Sequence, residues 1–331
     1  MLSKSNTETE AGLSYSTKDE SYLANVALLY YQEGLNQGQI ADRLGLSRAT
    51  IVNYLKEGRD RGIVDIRVNG ESLRSSSIGQ GLRKIFDLDD VYIANSGTKS
   101  DPSSKLRQTA RVAALAFHNI IDPGDVIGVA WGETIKSVGE NLPDRKIDST
   151  SVCQIIGSME SDRLLSAEDC AIQIANRIDA QCYTLHSPAI LSSKLLAQEL
   201  RQEETIKAQL KRLKNLSAII TSVGDLSDST HILSSGIISE SDLKEIKDVG
   251  GAGWLCSGFI NSEGRMLSHH LQQRMIAIQL EDILKTPKRI LVASGLKKTS
   301  AVMAALKGRF VTHAVIDFEL AKAILKQNLK N

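Results

Sequence analysis

The segment GVAWGETIKSVGENL, residues 128–142, passes from a short apolar run through a glycine turn into a helical pattern. We interpret its first residues as a buried strand and expect the helix to open at Glu133 and Thr134. A strand that feeds a helix through a tight turn is the repeating unit of α/β proteins. This segment therefore predicts a largely parallel sheet covered by helices.

The same alternation extends from about residue 79 to the end of the chain. The other predicted strands are VYIAN (91–95), SVCQIIGS (151–158), LSAIITSVG (216–224), KRILVASG (288–295) and THAVID (312–317), with helices such as SSKLRQTARVAALAFHNII (103–121) and AEDCAIQIANRI (167–178) between them. The apolar runs end in Gly, Ser or Asp, and ligands of parallel sheets bind beyond the carboxyl ends of the strands. We therefore expect a ligand pocket built from these loop tips.

Composition is that of an ordinary soluble protein, with 331 residues, 42% hydrophobic and 24% charged, long enough for two or three domains. The net charge of +1 gives no general attraction to nucleic acid or membrane. No apolar run reaches the roughly 18 residues of a membrane span, and no secretory signal opens the chain. Four cysteines without a C-x-x-C pair indicate reduced, buried thiols. We predict a cytoplasmic protein with no membrane partner.

A second pattern lies near the N-terminus, in NQGQIADRLGLSRATIVNYL, residues 36–55. Apolar residues fall at helical spacing on both sides of Gly45, which is suited to the positive φ of a tight turn, and Ser47 is placed to cap the second helix. Small Ala41 allows the two helices to pass closely. With an amphipathic helix at about Tyr22–Gln32 as a third wall, this predicts a helix-turn-helix.

The second of these helices is expected to present polar and small residues outward. If Ile51, Tyr54 and Leu55 are buried, Val52 is exposed together with the candidate DNA contacts. With the neighbouring residues Gln37 and Thr50 included, these candidates are Gln37, Ser47, Arg48, Ala49, Thr50, Asn53 and Lys56. Arg, Asn and small apolar groups are the side chains that read base edges in the major groove. Double-stranded DNA is the predicted partner, with a helical hairpin used for protein contact as the alternative.

The residues after this unit suggest its limits. Arg59, Arg61 and Arg67 are candidates for contacts with DNA phosphates. The segment IVDIRVN, residues 63–69, alternates β-branched and polar residues, which is typical of a strand in a small wing. A polar run follows, without periodicity. We predict a disordered lead-in at 1–20, the DNA-binding domain at 21–70, a linker at 71–78 and an effector-binding, oligomerising domain at 79–331.

The helix that opens at Glu133 is also a candidate anion site. Its first amides lack partners within the helix, so Gly132, Glu133 and Thr134 could hold a phosphate. No Walker sequence or G-x-G-x-x-G pattern is present, and an ordinary turn and cap is the alternative. Lys297 and Lys298 follow a later strand, where either could reach a ligand or lie solvated on the surface.

Together these patterns closely resemble the SorC type of sugar-responsive bacterial transcriptional regulators. Motifs that carry the resemblance are YYQEGLNQGQIADRLGLSRATIVNYLKEGRDRGIV (30–64), GVAWGETI (128–135), HSPAIL (186–191), SVGDLS (222–227), FINSEG (259–264), ASGLKKTSAVMAAL (293–306) and VIDFELAKAIL (315–325). The resemblance implies a large domain related to the ribose-phosphate isomerase and sugar-phosphate deaminase fold. It also implies a sugar phosphate or similar anionic effector and a homo-oligomer, a dimer or tetramer.

Residue by residue, the resemblance places the phosphate site at Gly132, Glu133 and Thr134. The predicted effector residues are completed by Gly157, Ser158, Ser222, Gly224, Trp254 and Lys298. Trp254 is a departure, since it stands where the family commonly has an effector-facing Asp. It would change a hydroxyl acceptor into an apolar plate with one N–H donor, unless the alignment is shifted or the loop turns away.

An enzyme is the less favoured class. The six histidines show no metal spacing and no nucleophile–base pairing, so we predict no catalytic residue, no metal site and no cofactor. The predicted function is a DNA-binding regulator of a carbohydrate-related operon under effector control. An effector-independent DNA-bound scaffold and, less favoured, a sugar-phosphate isomerase or deaminase-like enzyme are the alternatives.

Overall fold

The structure is a computed structural model that describes residues 19–64, 70–74, 76–97, 100–159 and 166–328. The chain divides into two compact units, Met1–Val68 and Asn69–Asn331. None of the helices in the described ranges combines the length and the apolar character needed to cross a bilayer.

The described part of the smaller unit contains three helices, α1 (Glu20–Tyr31), α2 (Gln37–Leu44) and α3 (Arg48–Asp60). Its buried core is formed by Leu23, Val26, Ile40, Ala41, Ile51, Tyr54 and Leu55. The three helices therefore bury the faces that the sequence predicts. Formation of one shared core explains how such short helices are held together.

The turn between α2 and α3 has the predicted conformation. Gly45 has φ +65° and donates its N–H to the Ala41 carbonyl, which ends α2. Ser47 then begins α3, because its Oγ accepts a hydrogen bond of 3.0 Å from the Thr50 amide. Asn36 caps α2 in the same way and forms a reciprocal capping box with Gln39. Both caps and the left-handed glycine define a helix-turn-helix.

The lead-in, the wing and the linker were predicted at the borders of this unit. The predicted disordered lead-in, 1–20, lies almost wholly outside the described residues, although Glu20 already begins α1. Most of the predicted wing, 63–69, also lies outside them. The linker predicted at 71–78 is wrong, because a 3-10 helix spans Gly70–Arg74 and helix α4 begins at Ser77.

These linker residues are attached to the larger unit. Arg74 forms an ion pair of 2.8 Å with Asp90, and Leu73 packs against the large hydrophobic core. Ser76 caps α4 by accepting a hydrogen bond from the Gly79 amide. The segment is polar because its outer side is exposed, and not because it lacks structure.

The larger unit is an α/β domain with a seven-stranded sheet. Its strands are β1 (Asp90–Ala94), β2 (Val126–Val129), β3 (Ser151–Gln154), β4 (Gln181–Tyr183), β5 (Ala218–Thr221), β9 (Lys288–Ala293) and β10 (His313–Asp317). Their order is β1-β10-β9-β5-β2-β3-β4, and every pair is parallel. This confirms the predicted parallel sheet and adds β4, which the sequence analysis missed.

Helices cover and connect this sheet. They are α4 (Ser77–Phe86), α5 (Pro102–Ile120), α6 (Glu133–Asn141), α7 (Ala167–Arg177), α8 (Lys194–Leu200), α9 (Glu204–Leu213), α10 (His231–Ser234), α11 (Glu240–Asp248), α12 (Leu280–Lys285), α13 (Thr299–Lys307) and α14 (Phe318–Asn328). The central strands are buried on both faces, as β5 shows with all of its residues buried. Packing over β2 is close: a Cβ on Gly128 would lie 2.6 Å from a Leu216 methyl carbon.

A second, antiparallel sheet was not predicted. It contains β6 (Gly251–Leu255), β7 (Gly258–Asn261) and β8 (Met266–Leu267). A bridge between Gly224 and Trp254 joins β6 to the loop that follows β5. The small sheet is thereby fixed beside the carboxyl end of a central strand of the large one.

The strand order has a point of reversal at its centre. From β2 the chain proceeds outward to β3 and β4, whereas from β5 it proceeds in the opposite direction to β9 and β10. Loops diverge at such a reversal and leave a crevice outside the carboxyl ends of the strands. The loops after β2, β5 and β9 are therefore neighbours at the place where this fold binds ligands.

Candidate effector site and nucleic-acid interface

Three polar side chains from these three loops meet at the reversal point. The Lys298 amine donates a hydrogen bond of 3.0 Å to Ser222 Oγ and lies 3.4 Å from Thr134 Oγ1. Lys298 ends the 3-10 helix Leu296–Lys298 after β9, Ser222 follows β5, and Thr134 is in the first turn of α6 after β2. The structure thus brings together three of the predicted effector residues.

The beginning of α6 is open toward this cluster. Gly132 has φ +129°, a conformation that residues with a Cβ rarely adopt, and no side chain caps the helix there. A Cβ added to Gly132 would meet no atom of the described residues within 4 Å. Free space beside the first amides of a helix, with an amine nearby, suits an anion.

Charge at the site is mixed. Burial lowers the pKa of the Lys298 amine, while the carboxylates of Asp225 and Glu133 oppose that shift. Glu133 is exposed, and its Oε2 lies 3.5 Å from Nε2 of His231 on α10. Its carboxylate therefore lies beside α10.

Trp254 lies next to the cluster through its backbone. The amide of Gly224 donates to the Trp254 carbonyl at 2.9 Å, and the Trp254 amide donates back at 3.0 Å. The indole is 7% exposed and packs over Gly224, and its Nε1 is buried without a hydrogen-bond partner in the described part of the chain. The large side chain thus packs against the loop that follows β5, and its role toward an effector stays a prediction.

Gly157 and Ser158 follow β3, the next strand along the same edge. Gly157 packs so closely that a Cβ would lie 2.5 Å from the Pro188 carbonyl oxygen. Ser158 donates its amide to Ser187 at 2.7 Å, and its Oγ is buried without a partner among the described residues. Their close contacts are thus with the loop at 187–189, so a structural role is evident and an effector role stays a prediction.

Two acidic residues at this edge were missed. Asp317 at the end of β10 is buried, accepts the Gly295 amide at 2.6 Å and caps α14 through Leu320. It therefore fixes the turn that leads to Lys298. Asp225 lies within the SVGDLS segment and acts on the charge of Lys298. Their positions follow from strand order, which no local pattern reveals.

The thiols offer no nucleophile. All four cysteines are free, and three of them are buried, as predicted; Cys182 is half-buried. Burial raises the pKa of Cys153 to about 12 and those of Cys170, Cys182 and Cys256 to about 11. A thiol protonated at neutral pH is a poor nucleophile.

In the smaller unit, α3 has one buried and one exposed face. Arg48, Ala49, Asn53 and Lys56 are exposed, and Val52 is 42% exposed, as the sequence predicts. Ser47 and Thr50 are occupied locally, since their hydroxyl oxygens are 2.8 Å apart at the cap of α3. The exposed side chains form a continuous strip along the N-terminal half of the helix.

The basic residues around this strip differ in whether they already have partners within the protein. Arg48 Nε contacts Gln37 Oε1 on α2 at 3.5 Å, at the edge of a groove also lined by Tyr30, Asn36 and Gly38. Arg59 donates to the Tyr31 hydroxyl, and Arg61 pairs with Glu57, so both predicted phosphate contacts have partners within the protein. Arg67 lies outside the described residues.

Both units of the chain are similar to parts of known proteins. A family model of a sugar-binding domain matches residues 71–326. The transcriptional regulator YjhU of Escherichia coli K12 is 30% identical over 90% of this chain and 92% of its own. The sorbitol operon regulator of Klebsiella pneumoniae is 28% identical over 93% of this chain and 98% of its own.

A solved structure extends this similarity to three dimensions. The crystal structure of full-length SorC, the sorbitol operon regulator of Klebsiella pneumoniae, superposes with a TM-score of 0.75 at 26% identity, covering 93% of this chain and 99% of that one. The similarity therefore includes the N-terminal helices as well as the sheet domain. The chain belongs to the SorC-type family of sugar-binding transcriptional regulators.

Proposed function

We propose that this regulator binds double-stranded operator DNA through the exposed strip of α3, and that an anionic sugar derivative bound at Lys298 changes its affinity for that DNA. The observation that carries the effector half is the meeting of Lys298, Thr134 and the open start of α6 at the reversal of strand order. An ammonium group and free helix amides are complementary to a phosphate. A phosphorylated sugar or polyol is therefore the proposed class of effector.

Relatives support the sugar portion of this proposal. Those with named roles include a sorbitol operon regulator and a deoxyribonucleoside regulator, the latter from Bacillus subtilis and 26% identical over 90% of this chain and 95% of its own. Both names refer to polyhydroxylated compounds. In this chain, Ser222 lies beside the Lys298 amine, and Trp254 packs against Gly224, two residues further along the same loop. We propose that these two residues contact the part of the ligand away from its phosphate.

The DNA half rests on chemistry at α3. Arg48 can pair with guanine, Asn53 with adenine, and Ala49 and Val52 can contact a thymine methyl group. Lys56 is suited to a phosphate. One such helix contacts few base pairs, so we propose that a dimer or tetramer binds a pseudo-palindromic operator. Light scattering of the free and DNA-bound protein tests this oligomer directly.

The proposed effector class is tested by ligand-dependent thermal unfolding of the whole chain. Sugars and polyols are compared with their own phosphate esters, because each pair differs only in the group proposed to bind at α6. We expect a phosphate ester to raise the unfolding temperature and its parent sugar to have little effect, since only ligands that bind the native state stabilise it. Equal effects of both members of every pair would contradict the phosphate site.

The same experiment separates the alternative functions. A scaffold without an effector would show no shift with any compound of the panel, while retaining specific DNA binding. An isomerase or deaminase would convert the compound that stabilises it, which product analysis of the same samples detects. A regulator gives a shift without turnover.

A further inference from the structure

Two histidines and two carboxylates meet where α11 contacts the segment after β8. Asp242 Oδ1 lies 3.1 Å from His270 Nε2, and Glu245 Oε2 lies 3.4 Å from His269 Nε2. One donor atom from each of Asp242, His269 and His270 lies within 4.8 Å of the others. Donor atoms of separate chain segments are thus gathered at distances that a single bound ion could bridge.

His269 gives a second indication that a ligand belongs here. Its side chain is 8% exposed, and its Nε2 is buried without a geometrically sound hydrogen bond in the described ranges, although the Glu245 carboxylate is near. A buried polar nitrogen that lacks a hydrogen bond is unfavourable, and most buried polar groups are satisfied. The imidazole is fixed in place by Phe259, whose ring meets it edge to face at 5.7 Å.

The Asp242 carboxylate is held in a fixed orientation by hydrogen bonds. Its Oδ2 accepts hydrogen bonds of 2.8 and 2.6 Å from the amide and hydroxyl of Ser239, at the start of α11. These bonds hold the carboxylate so that Oδ1 faces His270. Ligating carboxylates in metal sites are commonly positioned by hydrogen bonds of this kind.

We propose that Asp242, His269 and His270 bind a divalent transition-metal ion of the zinc type, with the Glu245 carboxylate beside His269. Imidazole nitrogens combined with carboxylate oxygens are ligands that zinc accepts, whereas magnesium and calcium are bound by oxygen alone. Sequence spacing hides this site, because the acidic residues lie on a helix and the histidines follow a strand much later in the chain. The expectation of no metal site is therefore replaced by a specific candidate.

Binding through Nε2 of His269 has one structural consequence. The ring proton then resides on Nδ1, so the hydrogen bond that the Leu271 amide donates to Nδ1 must open. This bond measures 3.4 Å, longer than the usual range, and is therefore weak. An ion would replace it with stronger bonds and would join α11 to the segment after β8.

The test uses the full chain without a polyhistidine tag, stripped of metal with a chelator and dialysed. Cobalt(II) is titrated by visible absorption, which reports the ligands of the ion, and zinc by calorimetry and thermal unfolding. The variants are His270→Gln, which changes an exposed side chain, and Asp242→Asn. His186→Gln is the matched control, because His186 is also exposed and is not one of the clustered donors.

We expect the wild-type protein and His186→Gln to bind one ion per chain and to gain thermal stability from zinc. His270→Gln and Asp242→Asn should each bind at least about tenfold more weakly, since even the residues that orient metal ligands contribute that much. The proposal is overturned if the wild-type chain shows no saturable binding, or if His270→Gln binds as tightly as wild type with the same cobalt spectrum.

Discussion

The Lys298 amine lies 3.0 Å from the Ser222 hydroxyl oxygen, although the two residues are 76 positions apart in the chain. They are brought together because β9 and β5 are neighbours in the sheet. Thr134, from the loop after β2, joins them because β2 is the other neighbour of β5. The candidate effector site is therefore a direct product of strand order.

Base reading by α3 is tested by substituting its exposed residues. Arg48→Ala and Asn53→Ala should each weaken operator binding by about 1 to 3 kcal/mol and relax the base preference at one position of each half-site. Lys56→Ala should weaken binding to specific and random DNA alike, because a phosphate contact carries no base information. Binding to a set of single-base operator variants measures the difference.

Arg43→Ala is the control for these DNA measurements. Arg43 is exposed in the same unit but pairs with Glu33 at 3.0 Å and lies on α2. Its substitution should leave the base preference unchanged. Equal losses on operator and random DNA for Arg48→Ala and Asn53→Ala would rule out base reading by those two residues.

The turn between α2 and α3 is expected to depend on the left-handed conformation of Gly45. A Cβ there meets no atom of the described chain within 4 Å, so the strain in Gly45→Ala comes from the backbone conformation. That conformation costs a residue with a Cβ about 1 to 2 kcal/mol, and Asn tolerates it better. Hydrogen exchange of the α2 and α3 amides should accelerate roughly 5- to 30-fold in Gly45→Ala and less in Gly45→Asn. Identical exchange in both variants would contradict this explanation.

A partly buried ion pair at the amino ends of the strands predicts a pH-dependent stability. Asp125 Oδ2 lies 2.7 Å from the Lys288 amine, and its Oδ1 accepts a 2.7 Å hydrogen bond from Ser217. Burial alone would raise the pKa of Asp125, but the bonds from Lys288 and Ser217 outweigh it and hold that pKa below its usual value. The stabilisation is therefore present above the unfolded pKa of about 3.9 and lost as pH falls through the lower folded pKa.

Asp125→Asn should accordingly reduce the free energy of unfolding at pH 7 by about 1.5 to 3 kcal/mol, the contribution of hydrogen bonds to charged groups. Urea unfolding followed by tryptophan fluorescence reports this unit, since both tryptophans, Trp131 and Trp254, lie in it. The deficit should disappear below the folded pKa. Asp148→Asn removes an exposed carboxylate near Lys146 and should cost no more than about 1 kcal/mol. A deficit in Asp125→Asn that persists unchanged in acid would refute the ionic origin.

Sequence reasoning succeeded where local chemistry decides the structure. The cap at Ser47, the glycine turn and the buried face of α3 follow from residue type and helical spacing, and the long apolar runs predicted the parallel sheet. Position after a strand end makes both Lys297 and Lys298 candidates, and the family resemblance selects Lys298. Its alternative as a solvated surface residue is not supported, since the side chain is half-buried and hydrogen-bonded.

The failures share a different cause. Strand β4 has three residues and β8 has two, too few for any periodicity to be visible, and both depend on pairing with a neighbour. The polar stretch at 71–78 resembles a linker because its few apolar residues show no periodicity. Their role is visible only in the structure, where they pack against the large hydrophobic core. Asp317 and the Asp242–His269–His270 cluster depend on tertiary contacts between distant segments, about which single-residue spacing carries no information.

The most direct test of the account measures the effector concentration that is needed to alter operator binding. The effector is the phosphate ester that stabilises the protein most, and the proteins compared are wild type, Lys298→Ala and Lys297→Ala. Lys297 is the matched control, because it is the adjacent lysine and is exposed. Loss of a charge-assisted bond to phosphate costs about 1.5 to 3 kcal/mol, so Lys298→Ala should require roughly ten- to a hundred-fold more effector, while Thr134→Ala requires a smaller increase. Operator affinity without effector should be unchanged in all variants. If Lys298→Ala responds at the same effector concentration as wild type and Lys297→Ala, the effector does not bind where we place it.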